Sequence, residues 1–200
     1  MKNIALILSI LFSYVIHANE CDSLIVNGSF ESSPARPSIW ETFPGNDETS
    51  LPGWKTLGEG VEWSSHVSTS GGSKLYTPDG DYMIDLNNYY SKNGGGIEQS
   101  FPTKVGAKYL VTFHAGTQKN YNRNGTAKLN VIIGDEHYIY NLKTERSDAI
   151  DWTYFSFSFV AGQPSTTIKF TTDTNSLEHF TVIDDVNIVP LNKPRAILVN

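Results

Sequence analysis

Two short segments and one isolated tryptophan combine flat aromatic rings with directional polar groups. The segments are Asn87-Asn88-Tyr89-Tyr90 and Asn120-Tyr121-Asn122-Arg123, and Trp40 sits in a stretch marked by Pro34, Pro37 and Pro44. Rings of this kind cover the apolar face of a sugar, while amides and guanidinium groups bond its hydroxyls. With 4 Trp and 10 Tyr, the chain is generously supplied. Trp40, Tyr89, Tyr90, Asn120, Tyr121 and Arg123 are therefore the candidate ligand-binding residues. Plain packing is the competing expectation for each single aromatic. Trp54, Trp63 and Trp152 read as core or sandwich-edge residues.

Catalytic signatures are absent from the sequence. It has no Gly-x-Ser-x-Gly elbow, no His-Glu-x-x-His, and no phosphate-cradling glycine loop ahead of a helix, since Gly94-Gly95-Gly96 precedes a strand. His66, His114, His137 and His179 are scattered without metal-ligand spacing. Glu59, Glu62 and Asp85 would form a glycosidase pair only if the fold happened to set two of them at a working separation. The expectation is a non-catalytic protein.

Strands must position these groups. Tyr109, Val111 and Phe113 alternate with other residues, as do Leu129, Val131 and Ile133, then Tyr138, Tyr140 and Leu142, then Phe155, Phe157 and Phe159, then Ile168 and Phe170. A period of two marks strands with one face on a core. Further strands are expected at 23–26, 61–67, 82–86, 97–101 and 182–189. Pro78-Asp79-Gly80, Asn124-Gly125 and Gly162-Gln163-Pro164 supply turns between them. No long segment has helical periodicity. The pattern predicts an all-β sandwich or jelly roll, with long loops at about 32–50 and 117–125. Loops carried on a rigid sandwich are where binding groups tend to reside.

The first 18 residues read as a secretory signal peptide. Lys2 provides a basic start, residues 4–16 are almost wholly apolar, and Ala18 offers a small residue at the cut. The run is too short for a transmembrane span of ~20 residues. The expected organisation is a signal peptide at 1–18, one domain at 19–190 and a tail at 191–200, with the protein exported to the periplasm or the medium. The full chain carries a net charge of −6, and losing Lys2 makes it more negative, which argues against a nucleic-acid partner. Cys21 is the single cysteine, so no intrachain disulfide is possible. It is expected to be an unpaired thiol, with an intermolecular disulfide as the alternative.

An ordered set of motifs resembles a known family. Leu24-Ile25-Val26-Asn27-Gly28-Ser29-Phe30-Glu31 looks like the opening of a jelly-roll group that includes several carbohydrate-binding modules. Leu51-Pro52-Gly53-Trp54, Gly60-Val61-Glu62-Trp63, Pro78-Asp79-Gly80, Ile84-Asp85-Leu86 and Gly95-Gly96-Ile97-Glu98-Gln99-Ser100-Phe101 follow in order. Thr103, Gly106, Tyr109, Phe113 and Ala115-Gly116 continue the pattern, and Ile183-Asp184-Asp185-Val186 resembles its closing strand. Together they resemble domain-of-unknown-function family 642 over nearly the whole chain after residue 18. The resemblance implies a galactose-binding-like jelly-roll β-sandwich that binds extracellular or cell-wall polysaccharide. Plant members carry two such domains and several cysteines. This chain has one domain and no cysteine pair.

The resemblance also implies a structural calcium ion shared by the first and last strands, and places Glu31 and the Asp184-Asp185 pair there. Calcium takes hard oxygen ligands. Alternation sets Asp184 on the face of Val182, Val186 and Ile188, expected to be the core side, where a carboxylate needs a compensating partner. Glu31 and Asp184 are the favoured ligands, Asp185 the second choice, with carbonyls near Ser29 completing the shell. The alternative is that these acids are solvated or capped by backbone amides. The expectation is an exported glycan-binding module with calcium. An extracellular adhesive protein with a protein partner is the rival, and a polysaccharide-processing enzyme a lesser one.

Overall fold

The computed structural model describes residues 23–34, 40–66, 75–88, 92–119, 123–173, 175 and 178–191. The expected signal peptide, Cys21, Tyr89, Tyr90, Asn120, Tyr121 and nearly all of the tail lie outside them. Eleven strands are formed: β1 (Trp40–Phe43), β2 (Lys55–Gly58), β3 (Val61–Ser65), β4 (Tyr82–Asp85), β5 (Gly95–Pro102), β6 (Lys108–Thr117), β7 (Thr126–Ile133), β8 (Glu136–Lys143), β9 (Asp151–Val160), β10 (Ser165–Thr171) and β11 (Val182–Pro190). No helix occurs among the described residues.

The strands make two antiparallel sheets. One has six strands in the order β1-β3-β4-β11-β6-β9, the other five in the order β2-β5-β10-β7-β8. One residue in two of each strand points between the sheets. Val111, Phe113 and Ala115 of β6 meet Val131 of β7 and Phe170 of β10 in one cluster, and Trp54, Trp63, Ile97, Phe101, Ile183 and Val186 complete it. Phe113 lies edge-on to Phe170 with ring centroids 5.1 Å apart. Full burial of each such side chain is worth ~1.5–3 kcal/mol, so this core is the main source of stability. A smaller cluster of Leu75, Met83, Ile150, Phe180 and Val182 sits outside it.

Three expectations need correction. First, residues 23–26 bend and do not form a regular strand. Leu24 N still donates to Ile188 O (2.8 Å). The Val26 amide and carbonyl instead satisfy the Gln99 side chain, at 2.7 and 2.9 Å. A primary amide has taken the place of a ladder partner. Second, the expected loop at 32–50 contains β1, and β2 was not anticipated. Both strands have only four residues, too few to show alternation.

Third, alternation fails in β11. Asp184 pairs with His114 but Asn187 pairs with Thr112, so two residues oppose one at a β-bulge. Asp185 takes a left-handed φ of 52° there. Ile183, Val186 and Ile188 therefore reach the main core, while Val182 joins the outer cluster. Asp184 is buried, but on the outer side of the sheet with His114.

Candidate functional site

The Asn27–Glu31 segment is a turn held by two tryptophans. Asn27 and Phe30 both have left-handed backbones, with φ of 54° and 60°. Trp54 Nε1 donates to Asn27 O (3.0 Å) and Trp63 Nε1 to Phe30 O (2.9 Å). Val186 N donates to Gly28 O (2.9 Å), so the turn rests against the bulge of β11. A Cβ at Gly28 would lie 2.0 Å from Val186 O, which is why glycine is required.

This turn aims Glu31 at the connection between β3 and β4. Glu31 Oε1 accepts from the amides of Asp81 and Tyr82, both at 2.8 Å. Asp184 Oδ2 accepts from Asp79 N (3.0 Å), and its Oδ1 from Asp185 N (2.7 Å). Glu31 and Asp184 thus grip one turn from two sides. Gly80, at φ 64°, lies so close that a Cβ would sit 2.4 Å from Glu31 Cδ. Burial pushes the Asp184 carboxyl up to about 8. Asp185 turns elsewhere, to His114 Nδ1 (3.1 Å) and Asn187 Nδ2 (2.7 Å).

The donor chemistry here suits a hard cation, because the buried Asp184 carboxyl has the like-charged Asp79 and Asp185 as neighbours. In this arrangement the two carboxylates are held by backbone amides. Among the described residues, no three His, Cys, Asp or Glu side chains are grouped to hold a metal ion.

A second constellation lies on the outer face of the six-stranded sheet. Glu62 of β3 stands directly opposite Asp85 of β4, where opposed Cβ atoms lie ~5 Å apart. Asp85 is only 2% exposed. It accepts from Asn87 N (2.9 Å), and Glu62 accepts from Ser64 Oγ (3.0 Å). Burial holds the Asp85 carboxyl well above the usual carboxylate range, the adjacent Glu62 adds to the rise, and Arg123 opposes it. Burial likewise raises Glu62, against Ser64 and Arg123. Arg123 also lies 5.0 Å from the Phe180 ring centroid, a cation–π distance.

Trp40 completes the group. It is 45% exposed and opposes Ser64 across β1–β3, while Thr42 opposes Glu62. Trp40 is thus a diagonal neighbour of Glu62 on one face, within reach of a long ring. The structure brings Trp40 and Arg123 of the expected ligand residues to this acid pair. Sequence reasoning named Glu62 and Asp85 but saw no reason for them to meet.

Neighbouring loops are laced together at the same end of the sandwich. The Glu59 carboxylate accepts from Lys92 N (2.7 Å) and Asn93 Nδ2 (2.5 Å), fixing the base of the 86–94 loop. Lys119 N donates to Arg146 O (2.7 Å), and Asn124 N to Glu178 O (3.2 Å).

With this geometry in place, the sequence can be set against known families. The model of the family described as Protein of unknown function (DUF642) matches residues 23–189. The chain belongs to this family. None of the curated proteins matches it. Among solved structures, a candidate sugar-binding protein from Bacteroides thetaiotaomicron is similar at 11% identity and TM-score 0.54, over 84% of this chain and all of that one. An arabinose-bound α-L-arabinofuranosidase matches at 12% identity and TM-score 0.54, over 86% of this chain but 27% of its own. A xylan-binding domain from Paenibacillus barcinonensis matches at 11% identity and TM-score 0.49, over 79% of this chain and 99% of its own. The two antiparallel sheets of the DUF642 chain therefore make a jelly-roll β-sandwich, the fold of the similar Bacteroides structure.

Proposed function

We propose that this DUF642 protein is an exported, non-catalytic glycan-binding module that carries a structural calcium ion. The observation that carries the glycan reading is the outer-face group of Trp40, Glu62, Asp85 and Arg123. An exposed indole offers a sugar its flat face. The Glu62 carboxyl and the Arg123 guanidinium offer an acceptor and donors to adjacent hydroxyls, while the buried Asp85 backs them from within the sheet. The jelly-roll fold agrees with this reading.

Several features favour binding over hydrolysis. A glycosidase pair flanks its scissile bond, with carboxyl groups ~5–9.5 Å apart and both reaching substrate. Asp85 is buried and hydrogen-bonded to its own loop, so it does not reach out to substrate as each member of such a pair must. For calcium, Glu31 and Asp184 would supply side-chain oxygens, and carbonyls near Ser29 the remainder. The ion would neutralise a buried charge and tie the 27–31 turn to β11. The export reading rests on the first 18 residues, and no helix among the described residues is long and apolar enough to cross a membrane.

The test is a glycan array run beside a pull-down from envelope extract. Saturable binding to a defined polysaccharide, lost in Trp40→Ala, is expected. Binding to no glycan, together with stoichiometric capture of one protein, would overturn the proposal.

A further inference from the structure

The four sheet edges are not equally protected. An open edge presents unpaired N–H and C=O groups, and soluble proteins guard such edges by shortness, charge, proline or bulges. β1 and β2 have four residues each and carry Glu41 and Lys55. β8 carries Glu136, His137 and Lys143. Among the described residues, β9 has one such guard, Asp151 at its very start. It runs for ten residues at the end of the six-stranded sheet. All ten pair with β6 in unbroken register, without a bulge. From Trp152 to Val160 there is no charge, proline or glycine. Tyr154 and Val160 are 56% and 58% exposed.

We propose that β9 pairs with β9 of a second copy of the chain, antiparallel, about a two-fold axis at Ser156, joining two six-stranded sheets into one. The register follows from the pleat. Residues directly opposed in an antiparallel pair share a face. A two-fold axis passing between two residues would oppose core-side and outer-side residues, so it must pass at one residue. An axis at Ser156 pairs Trp152 with Val160, Thr153 with Phe159, Tyr154 with Ser158 and Phe155 with Phe157 of the second copy. Asp151 then falls beyond the uncharged stretch.

Self-pairing is favoured over a foreign strand because β9 complements itself. No like charges are opposed, Phe155 meets Phe157 on the core side, and Tyr154 meets Ser158 on the outer side. The pairing also covers an aromatic margin that one copy leaves half-exposed. Phe155 packs on Tyr140 and Phe157 on Tyr138, with centroids 4.5 and 4.3 Å apart.

Analytical ultracentrifugation of the purified protein, from low to high micromolar concentration, tests the proposal. Twice the single-chain mass is expected at high concentration. Ser156→Lys opposes two ammonium groups at the axis and should give a single-chain mass with unchanged circular dichroism. The double variant Tyr154→Glu/Ser158→Lys opposes a carboxylate to an ammonium on each side of the axis and should remain double. Hydrogen exchange should show β9 amides protected in wild type and exposed in Ser156→Lys. A wild type that stays at single-chain mass, or a folded Ser156→Lys that keeps the double mass, would overturn the proposal.

Discussion

Glu62 and Asp85 face each other across the β3–β4 ladder, and Arg123 is the cation that acts on both. Like charges at that separation resist joint ionisation. The pair therefore keeps a proton to higher pH than either acid would alone.

Stability should follow that proton. The folded state raises the Asp85 carboxyl above its unfolded value, so its stabilising contribution is complete below about pH 4 and is lost as pH rises through the folded value. The slope attributable to one such group is at most ~1.4 kcal/mol per pH unit. Urea denaturation from acid to neutral pH should show wild type losing stability relative to Asp85→Asn as pH rises. Equal slopes for the two proteins would refute the assignment.

Trp40 should matter for ligand and not for folding. It is exposed on a four-residue edge strand, so Trp40→Ala should leave the melting temperature nearly unchanged. If the ring stacks on sugar, affinity should fall by ~1–2 kcal/mol, as for other exposed aromatic anchors. Isothermal titration with the array-selected glycan measures this. Arg123→Gln should weaken binding too, by removing a fork of donors.

Calcium should stabilise the protein. With a dissociation constant of ~10⁻⁴ M and ~1 mM calcium, the gain is ~1.4 kcal/mol. Scanning calorimetry of metal-free protein, before and after calcium addition, should show a rise in melting temperature. Glu31→Gln should reduce that rise, and an unchanged wild-type value would count against the ion.

Gly80→Ala should disturb the same place without touching a carboxylate. The added Cβ meets Glu31 Cδ at 2.4 Å, in a backbone conformation that disfavours it. A loss of ~1–3 kcal/mol is expected in chemical denaturation, together with a smaller calcium response.

Much of the fold could be read from the chain because β6, β7, β9 and β10 alternate cleanly over seven to ten residues. β1 and β2 escape because their four residues mix polar and apolar types without a periodic signal, whereas the equally short β4 lies within the strand expected at 82–86. Strand 23–26 was over-read because its composition suits a strand, while its hydrogen bonds go to Gln99. The face of Asp184 was misassigned because a bulge adds one residue, and one residue reverses a period of two. At the site, Trp40 and Arg123 were singled out by type. Their meeting at Glu62 and Asp85 depends on register between strands, which no single segment encodes.

The contact of Gly28 with Val186 also bears on when this protein can fold. The turn at 27–31 rests in part on the bulge of β11, far along the sequence from it. Contacts of such long sequence separation slow folding, and a sandwich dominated by them commits late. The opening motif can therefore meet Trp54 and Trp63 early, but its docking is complete only once β11 has been made and has formed its bulge.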